Sequence, residues 1–150
     1  MKGLMQGKRG LIMGVANDHS IAWGIAKAAA GHGAKLAFTY QGESLEKRVR
    51  PLAESVKGEM ILPCDVEDIA TVDRVFSEVE KKWGGLDFLV HAVAFSDKNQ
   101  LKGLYADTTR DNFIRTMVIS CFSFTEAAKR AAALMKNGGS MITLTYNGGD

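Results

Sequence analysis

A glycine-bounded turn near the N-terminus has the residue types of a phosphate-binding site. Gly14 ends an apolar run, and Ser20 and Ile21 begin an alanine-rich stretch that contains Gly24. Glycine permits a tight turn there, and the backbone N–H groups of the helical turn that follows favour an anionic diphosphate. Ser20 could cap the helix or donate to a phosphate oxygen, and Gly24 could allow close helix packing. The pattern is not a standard G-x-G-x-x-G, so a plain strand-to-helix turn with a capping serine is the alternative.

Polar residues follow the next two apolar runs. Gln41 lies where a dinucleotide site usually has an acidic residue for the adenosine ribose, and its amide can still hydrogen-bond a ribose. An ordinary turn glutamine is the alternative. Asp65 and Val66 come after Met60–Cys64, and the carboxylate of Asp65 could accept from an adenine amino group. Asp65 could equally cap the next helix, and the two roles can coexist.

Small residues and a tyrosine end the last two apolar runs. The side chains of Ala92–Ala94 are small enough to let a flat ring, such as nicotinamide, lie against the backbone. His91, in the same run, is interpreted as a core histidine with satisfied ring nitrogens. Tyr146 could donate to a substrate oxygen, or could be an amphipathic rim aromatic. No cluster of histidines and carboxylates has metal-ligand spacing, so we expect no metal.

Strands and helices alternate along the chain and must position these residues. Apolar runs predict strands at Gly10–Val15, Lys35–Tyr40, Met60–Cys64, Leu86–Ala94 and Ser140–Thr145. Helical periodicity predicts helices at Ile21–Gly31, Ser44–Ser55 with an interruption near Pro51, Ile69–Trp83 and Phe113–Met135. The polar stretch Ser96–Asp111 is interpreted as a loop or lid.

The order of elements predicts an α/β fold with a doubly wound, Rossmann-like parallel sheet. Near-continuous apolar strands separated by helices indicate a sheet covered on both faces. Right-handed crossovers then give the strand order 3-2-1-4-5. Ligands bind such sheets at the carboxyl edge, where the order reverses between strands one and four. We expect one dinucleotide-binding domain over residues 1–150, incomplete because such sheets normally continue with a further helix and strand.

Composition limits the partners and the compartment. The 150 residues are 46% hydrophobic and 24% charged, as in ordinary globular proteins. A formal net charge of +2 is too small to indicate nucleic acid or an anionic membrane as a partner. No apolar run approaches the ~18 residues of a membrane span, and the N-terminal residues do not resemble a signal peptide. With two separated cysteines, Cys64 and Cys121, these features predict a cytoplasmic protein.

Several motifs together resemble the bacterial NADH-dependent enoyl-[acyl-carrier-protein] reductases, a divergent group of short-chain dehydrogenases/reductases. The matching segments are Gly14-x5-Ser20-Ile21-Ala22-Trp23-Gly24, Tyr40-Gln41, Cys64-Asp65-Val66, Val90-His91-Ala92-Val93-Ala94-Phe95, Ser120-x-x-Ser123-Phe124 and Leu144-Thr145-Tyr146. The resemblance runs from Gly7 to Tyr146, and its most specific part is the Gly14 turn with Ser20 and Ile21. The chain corresponds to the N-terminal three-fifths of a family member.

The resemblance implies a role for each matching position and for the protein as a whole. Gly14, Ser20 and Ile21 would hold the diphosphate, Gln41 the adenosine ribose, Asp65 and Val66 the adenine, Ala92, Val93 and Ala94 the nicotinamide side, and Phe95 and Leu101 the acyl pocket. Tyr146 would match the first of two active-site tyrosines. The family reduces trans-2-enoyl chains on acyl carrier protein with NADH in fatty acid synthesis, and its members are homotetramers.

The family's second tyrosine and its lysine fall beyond Asp150 in this pattern. We therefore expect this chain alone to be weakly active or inactive. Two other functions remain open. One is a non-catalytic fragment that binds nucleotide. The other is an ordinary short-chain dehydrogenase, which the missing Thr-Gly-x3-Gly-x-Gly turn disfavours.

Overall fold

The computed structural model describes residues 3–147, which form a parallel sheet between two layers of helices. The strands are β1 Arg9–Met13, β2 Lys35–Tyr40, β3 Met60–Pro63, β4 Phe88–His91 and β5 Ser140–Thr143. The α-helices are α1 Ile21–Gly31, α2 Gly42–Ser55, α3 Ile69–Trp83, α4 Arg110–Met117 and α5 Ser123–Leu134. A π-helical segment, Val118–Phe122, joins α4 to α5, and short 3₁₀ turns lie at Lys98–Gln100 and Tyr105–Asp107. Residues 1–2 and 148–150 of the predicted domain lie outside the described residues.

The predicted Rossmann-like topology is confirmed. The five strands are parallel and lie in the order β3-β2-β1-β4-β5. The reversal falls between β1 and β4, where Met13 is paired with His91. His91 is also paired with Thr143 of β5, so all three strands end at the same level. Residues that follow these strands therefore emerge together at the carboxyl edge.

Alternating side chains of the strands build one core on each face of the sheet. One face packs Leu11, Met13, Ala37 and Leu89 against α3 and α5. The other packs Ile12, Phe38 and Val90 against α1 and α2. Both faces of β1 after Arg9 and of β4 are covered, which explains why Gly10–Met13 and Phe88–Val90 contain no polar side chain.

The predicted first and fifth strands end two residues early, at Met13 and Thr143, and three larger differences concern the other elements. The fourth strand stops at His91 rather than Ala94, because its neighbours β1 and β5 end opposite His91 and leave the next residues no ladder to join. The second helix passes through Pro51 without interruption; Pro51 is exposed, while Val49 and Ala53 anchor the helix on the sheet. The predicted helix Phe113–Met135 begins earlier, at Arg110, where the Thr109 hydroxyl caps it, and contains the π-helical segment.

Candidate functional site

A cleft of about 330 Å³ opens at the carboxyl edge of the sheet, at the predicted switch point. Its walls come from the segments that follow β1, β2, β3 and β4, together with the π-helical segment. Most of the residues predicted from the sequence line it: Gly14, Gln41, Asp65, Val66, Ala92, Val93, Ala94 and Phe95. The topology therefore brings together residues that are up to 81 positions apart, counting from Gly14 to Phe95.

Gly14 is required at the head of the cleft for two reasons. Its φ angle is +104°, a conformation that residues with a Cβ rarely adopt. A Cβ added to Gly14 would also lie 2.0 Å from the carbonyl oxygen of Ala92. The backbone of the turn and the backbone after β4 thus approach each other more closely than any side chain would allow. No methyl group obstructs the bottom of the cleft at this point.

The hydroxyl of Ser20 organises the turn rather than capping α1. Ser20 occupies the N-cap position, but its side chain makes no cap hydrogen bond. Instead its Oγ accepts from the amides of Ala16, at 3.0 Å, and Asn17, at 3.1 Å. The predicted capping role was therefore wrong, because the folded-back turn presents its own amides to the serine first. The hydroxyl proton of Ser20 is not used by these two bonds.

The first turn of α1 presents free donors. The amides of Trp23 and Gly24 donate to the carbonyl of Ser20. Within residues 3–147, the amides of Ile21 and Ala22 have no protein acceptor. Free amides at a helix N-terminus carry a partial positive charge and suit an anion. The free donors therefore lie at the helix terminus, because the loop amides of Ala16 and Asn17 already donate to Ser20.

Gly24, by contrast, does not bring α1 close to the sheet. It is exposed, and a Cβ added to it would meet nothing within 4 Å. The sequence interpretation of this glycine was wrong. Buried Ala22, Trp23 and Ala26 form the face of α1 that packs on β1 and β2.

Asp65 shapes the loop after β3. Its Oδ1 accepts from the amide of Glu67 at 2.9 Å, and its own amide donates to the hydroxyl of Thr71. Helix α3 is capped instead by Asp68, which accepts from Ala70, so the alternative of an Asp65 cap is excluded. Oδ2 of Asp65 takes part in none of these bonds and can accept from a ligand at the cleft. Gln41, after the neighbouring strand β2, lines the same cleft and is exposed.

His91 is a core residue, as the sequence analysis expected. Its side chain is 1% exposed, and its ring stacks at a tilt on Phe124. Nδ1 lies 3.0 Å from the hydroxyl of Thr143, and Nε2 lies 2.8 Å from that of Ser123. Burial lowers the pKa of His91, so the ring is neutral near pH 7.

The structure leaves some predicted residues outside the cleft lining. Ile21 is 69% exposed, but its amide lies at the free helix terminus with Ser20. Leu101 is 70% exposed, in the segment between β4 and α4. Tyr146 is 92% exposed, three residues past the end of β5. The structure thus does not bring Leu101 or Tyr146 to the cleft, and their roles remain predictions.

An ion pair that no sequence motif predicts borders the cleft. Arg115 of α4 donates from Nε and a terminal nitrogen to the two carboxylate oxygens of Glu67, at 2.8 and 2.9 Å. Its guanidinium also lies over the ring of Phe95, 4.5 Å from the centroid. The hydrogen bonds from Arg115 lower the pKa of Glu67. Other lining residues that sequence reasoning missed are Met13, Val15, Ala16, Thr39, Tyr40, Leu45, Cys64 and Ile119.

The missed residues carry no motif of their own. Glu67 and Arg115 are 48 positions apart, and only the sheet order brings them together. Cys64 is inert in this wall, because burial raises the pKa of its thiol to about 11.

Within residues 3–147, no group of three histidines, cysteines or carboxylates could hold a metal ion. No helix in that range is long and apolar enough to cross a membrane.

Comparison with known proteins agrees with this geometry. The sequence model of the enoyl-(acyl carrier protein) reductase family matches residues 14–150. The chain belongs to this family. It is 72% identical, over 99% of its length, to enoyl-[acyl-carrier-protein] reductase [NADH] 2 of Rhizobium meliloti, and covers 55% of that protein. It is 51% identical to the corresponding NADH enzyme of Rickettsia felis, over 99% of the chain and 57% of the relative.

Solved structures of the enoyl-acyl-carrier-protein reductase family have the same fold. The crystal structure of the enzyme from Candidatus Liberibacter asiaticus superposes with a TM-score of 0.95 at 60% identity, covering 99% of this chain and 57% of that one. The enzyme from Anaplasma phagocytophilum, solved in complex with NAD, has a TM-score of 0.93 at 56% identity and covers 97% and 56%. The chain thus spans about half the length of the relatives that it matches.

Proposed function

We propose that the cleft binds NADH, and that this chain forms the cofactor-binding part of an NADH-dependent enoyl-[acyl-carrier-protein] reductase of fatty acid synthesis. One feature carries the proposal: the turn that starts at the close backbone approach of Gly14 is tied to Ser20 by the amides of Ala16 and Asn17, and leads directly into the free amides of Ile21 and Ala22. A diphosphate needs donors of this kind and a path free of side chains. The relatives with NADH in their names support the choice of cofactor.

Each part of the cofactor has residues that fit it. We assign the diphosphate to Gly14, Ser20 and Ile21, the adenosine ribose to Gln41, the adenine to Asp65 and Val66, and the nicotinamide to Ala92, Val93 and Ala94. The Ser20 hydroxyl still has its proton to donate, and Oδ2 of Asp65 can accept from an amino group. The small side chains after β4 leave room for a ring against the backbone.

The substrate would be a trans-2-enoyl chain carried on acyl carrier protein, as the names of the relatives suggest. Bound NADH supplies a hydride for the β-carbon of such a chain, and a proton completes the reduction at the α-carbon. Phe95 and Leu101 would border the acyl chain. The Tyr146 hydroxyl would donate to the thioester oxygen, where negative charge develops during the reduction.

We also propose that the protein is a homo-oligomer located in the cytoplasm. Phe113, Ile114 and Met117 of α4 and Phe122 of the π-helical segment are large apolar residues that are exposed in the single chain. A second copy of the chain would cover them. Cys64 and Cys121 are free thiols, which fits a reducing compartment. Sedimentation velocity tests the oligomer: a monomer at all concentrations contradicts it.

The helix terminus allows a direct test of the diphosphate site. Ile21 is the first residue of α1, and Ser20 before it has φ −61° and ψ 136°, which are compatible with a following proline. Ile21→Pro therefore removes the free amide without disrupting the helix. We expect its Kd for NADH, measured by isothermal titration, to rise about 10-fold or more, because a hydrogen bond to a charged group is lost.

Ile21→Ala is the matched control, because it shortens the same exposed side chain and keeps the amide. Its Kd is expected to stay within about 3-fold of the original protein. Equal affinities for the proline and alanine variants would place the diphosphate elsewhere. With crotonyl thioester as substrate, we expect this chain to oxidise NADH slowly or not at all. A rate near that of a complete reductase would contradict that expectation.

A further inference from the structure

The π-helical segment Val118–Phe122 and the start of α5 bring two serines against the chain that follows β4 and lines the cleft. Ser120 lies within the segment, and Ser123 begins α5 directly after it. Segments of this kind are rare, and they occur frequently at functional sites. Both serines contact the chain between His91 and Phe95, which we call the cofactor wall. They touch it at its two ends.

Ser120 holds the far end of the cofactor wall. Its Oγ accepts from the amide of Phe95 at 3.0 Å and donates to the carbonyl of the same residue at 3.1 Å. Because β4 ends at His91, these two groups of Phe95 have no strand partner. One hydroxyl therefore replaces both hydrogen bonds that a neighbouring strand would supply.

Ser123 holds the near end of the cofactor wall, at His91, through a series of hydrogen bonds in which each donor and acceptor is determined. Its hydroxyl donates its only proton to the carbonyl of Ile119 at 2.6 Å. Nε2 of His91, 2.8 Å away, must therefore be the donor to Ser123. In a neutral ring Nδ1 is then an acceptor, and it accepts a hydrogen bond from the hydroxyl of Thr143 at 3.0 Å. The contacts allow only the Nε2–H tautomer.

We propose that Ser120, and Ser123 acting through His91, are positioning residues that fix the cofactor wall against the nicotinamide ring. The inference rests on the proposed NADH site, because Ala92–Ala94 form its nicotinamide side. Ala92 and Val93 are only partly buried against the two cores, and hydroxyl groups from the neighbouring helical segments add hydrogen bonds at both ends of the wall. Ser120 lies at the centre of the π-helical segment and Ser123 directly follows it, so that each serine contacts one end of the wall.

The hydrogen bonds of Ser120 to Phe95 and of Ser123 to His91 together form what we call the clamp. Two measurements test the clamp without any cofactor. The ¹⁵N shifts of the His91 ring are expected to show the Nε2–H tautomer, and the Nδ1–H tautomer would overturn the proposal. Hydrogen exchange of the Phe95 amide is expected to be about 10-fold faster in Ser120→Ala, because that hydrogen bond is lost. Ser120→Thr keeps the hydroxyl and should restore slow exchange. Exchange that is equally slow in Ser120→Ala overturns the proposal.

A third measurement connects the clamp to the cofactor. We expect Ser120→Ala to raise the Kd for NADH about 3- to 10-fold, and Ser120→Thr to stay within about 2-fold of the original protein. Ser55→Ala is the control, because its hydroxyl is bonded to Leu52 at the far end of α2 and lies away from the cleft. An unchanged Kd in Ser120→Ala overturns the positioning role.

These outcomes separate the clamp from the proposed function. If the original protein binds no NADH while Phe95 exchange and the His91 tautomer behave as expected, the cofactor assignment fails and the hydrogen-bonded clamp stands. If Ile21→Pro weakens NADH binding and Ser120→Ala does not, the cofactor assignment stands and the positioning role fails. Ser123 is 2% exposed, and its alanine variant would leave buried polar partners unpaired, so the decisive variants are those of the partly exposed Ser120.

Discussion

Replacing Gly14 by alanine tests the closest backbone approach in the molecule's candidate site. The new Cβ would lie 2.0 Å from the carbonyl oxygen of Ala92 and 2.4 Å from its carbon, so the chain after β4 must move. A residue with a Cβ at φ +104° costs about 1–3 kcal/mol in backbone strain. Displacing packed neighbours adds about 1–3 kcal/mol. We expect the free energy of unfolding to fall by about 2–6 kcal/mol.

Gly84→Ala separates the two costs. Gly84 ends α3 with φ +69°, and a Cβ there would meet nothing within 4 Å. It therefore carries only the positive-φ cost, about 1–2 kcal/mol. Urea unfolding, followed by the fluorescence of the two tryptophans, Trp23 and Trp83, compares the two variants. Gly14→Ala is expected to lose at least about 1 kcal/mol more than Gly84→Ala, because only the former has the clash.

Binding distinguishes the two variants further. In Gly14→Ala the methyl group either obstructs the path of the diphosphate or pushes the cofactor wall away from β1. We expect its Kd for NADH to rise at least about 10-fold, the equivalent of about 1.4 kcal/mol, and that of Gly84→Ala to stay unchanged. If both variants lose the same stability and bind NADH equally, the close approach of the turn to Ala92 is not what the site requires.

Three other features of the chain give predictions of their own. Arg9 lowers the pKa of Asp87 by hydrogen bonding, so this carboxylate stabilises the fold above its usual pKa and loses that effect as the pH falls through the lowered value. Urea unfolding should therefore show Asp87→Asn about 1–2 kcal/mol less stable at pH 7, with a difference that shrinks in acid. Gly24→Ala should raise the melting temperature, because the helix gains about 0.5–1 kcal/mol and the position is open. Alkylation at pH 8 followed by mass spectrometry should label exposed Cys121 long before buried Cys64, whose pKa of about 11 leaves about a thousandth as thiolate; equal labelling contradicts this.

The strand order could be predicted because it depends on coarse patterns. Apolar runs mark strands, the helices between them require crossovers, and handedness leaves one arrangement. Where a strand ends is different, because it depends on its neighbours. Leu86–Ala94 reads as one apolar run, yet pairing stops at His91 because β1 and β5 stop there. Nothing within that run marks its end.

The candidate site was predictable only in part. Residues that directly follow a strand, such as Gly14 and Asp65, line the cleft because the topology fixes their direction. Tyr146 lies further from its strand and is exposed to solvent, so its closeness to β5 in the sequence does not predict where its side chain lies. The role of Ser20 depends on how the turn between Gly14 and Ser20 folds back, which no periodicity encodes. The Arg115–Glu67 pair requires the completed fold.

The shared end of three strands explains why the cofactor wall needs outside support. Met13 and Thr143 are both paired with His91, so the chain beyond His91 loses its ladder partners on both sides at once. One last bond remains, from the amide of Ala92 to the carbonyl of Met13. Beyond it the backbone is free to curve over the cleft, which gives a ring access to its face and also leaves its polar groups unpaired. A strand that ran on to Ala94 would satisfy those groups and close the site. At Phe95 the hydroxyl of Ser120 supplies the two hydrogen bonds that a neighbouring strand would otherwise make, and in our proposal this support keeps the wall open for the nicotinamide ring.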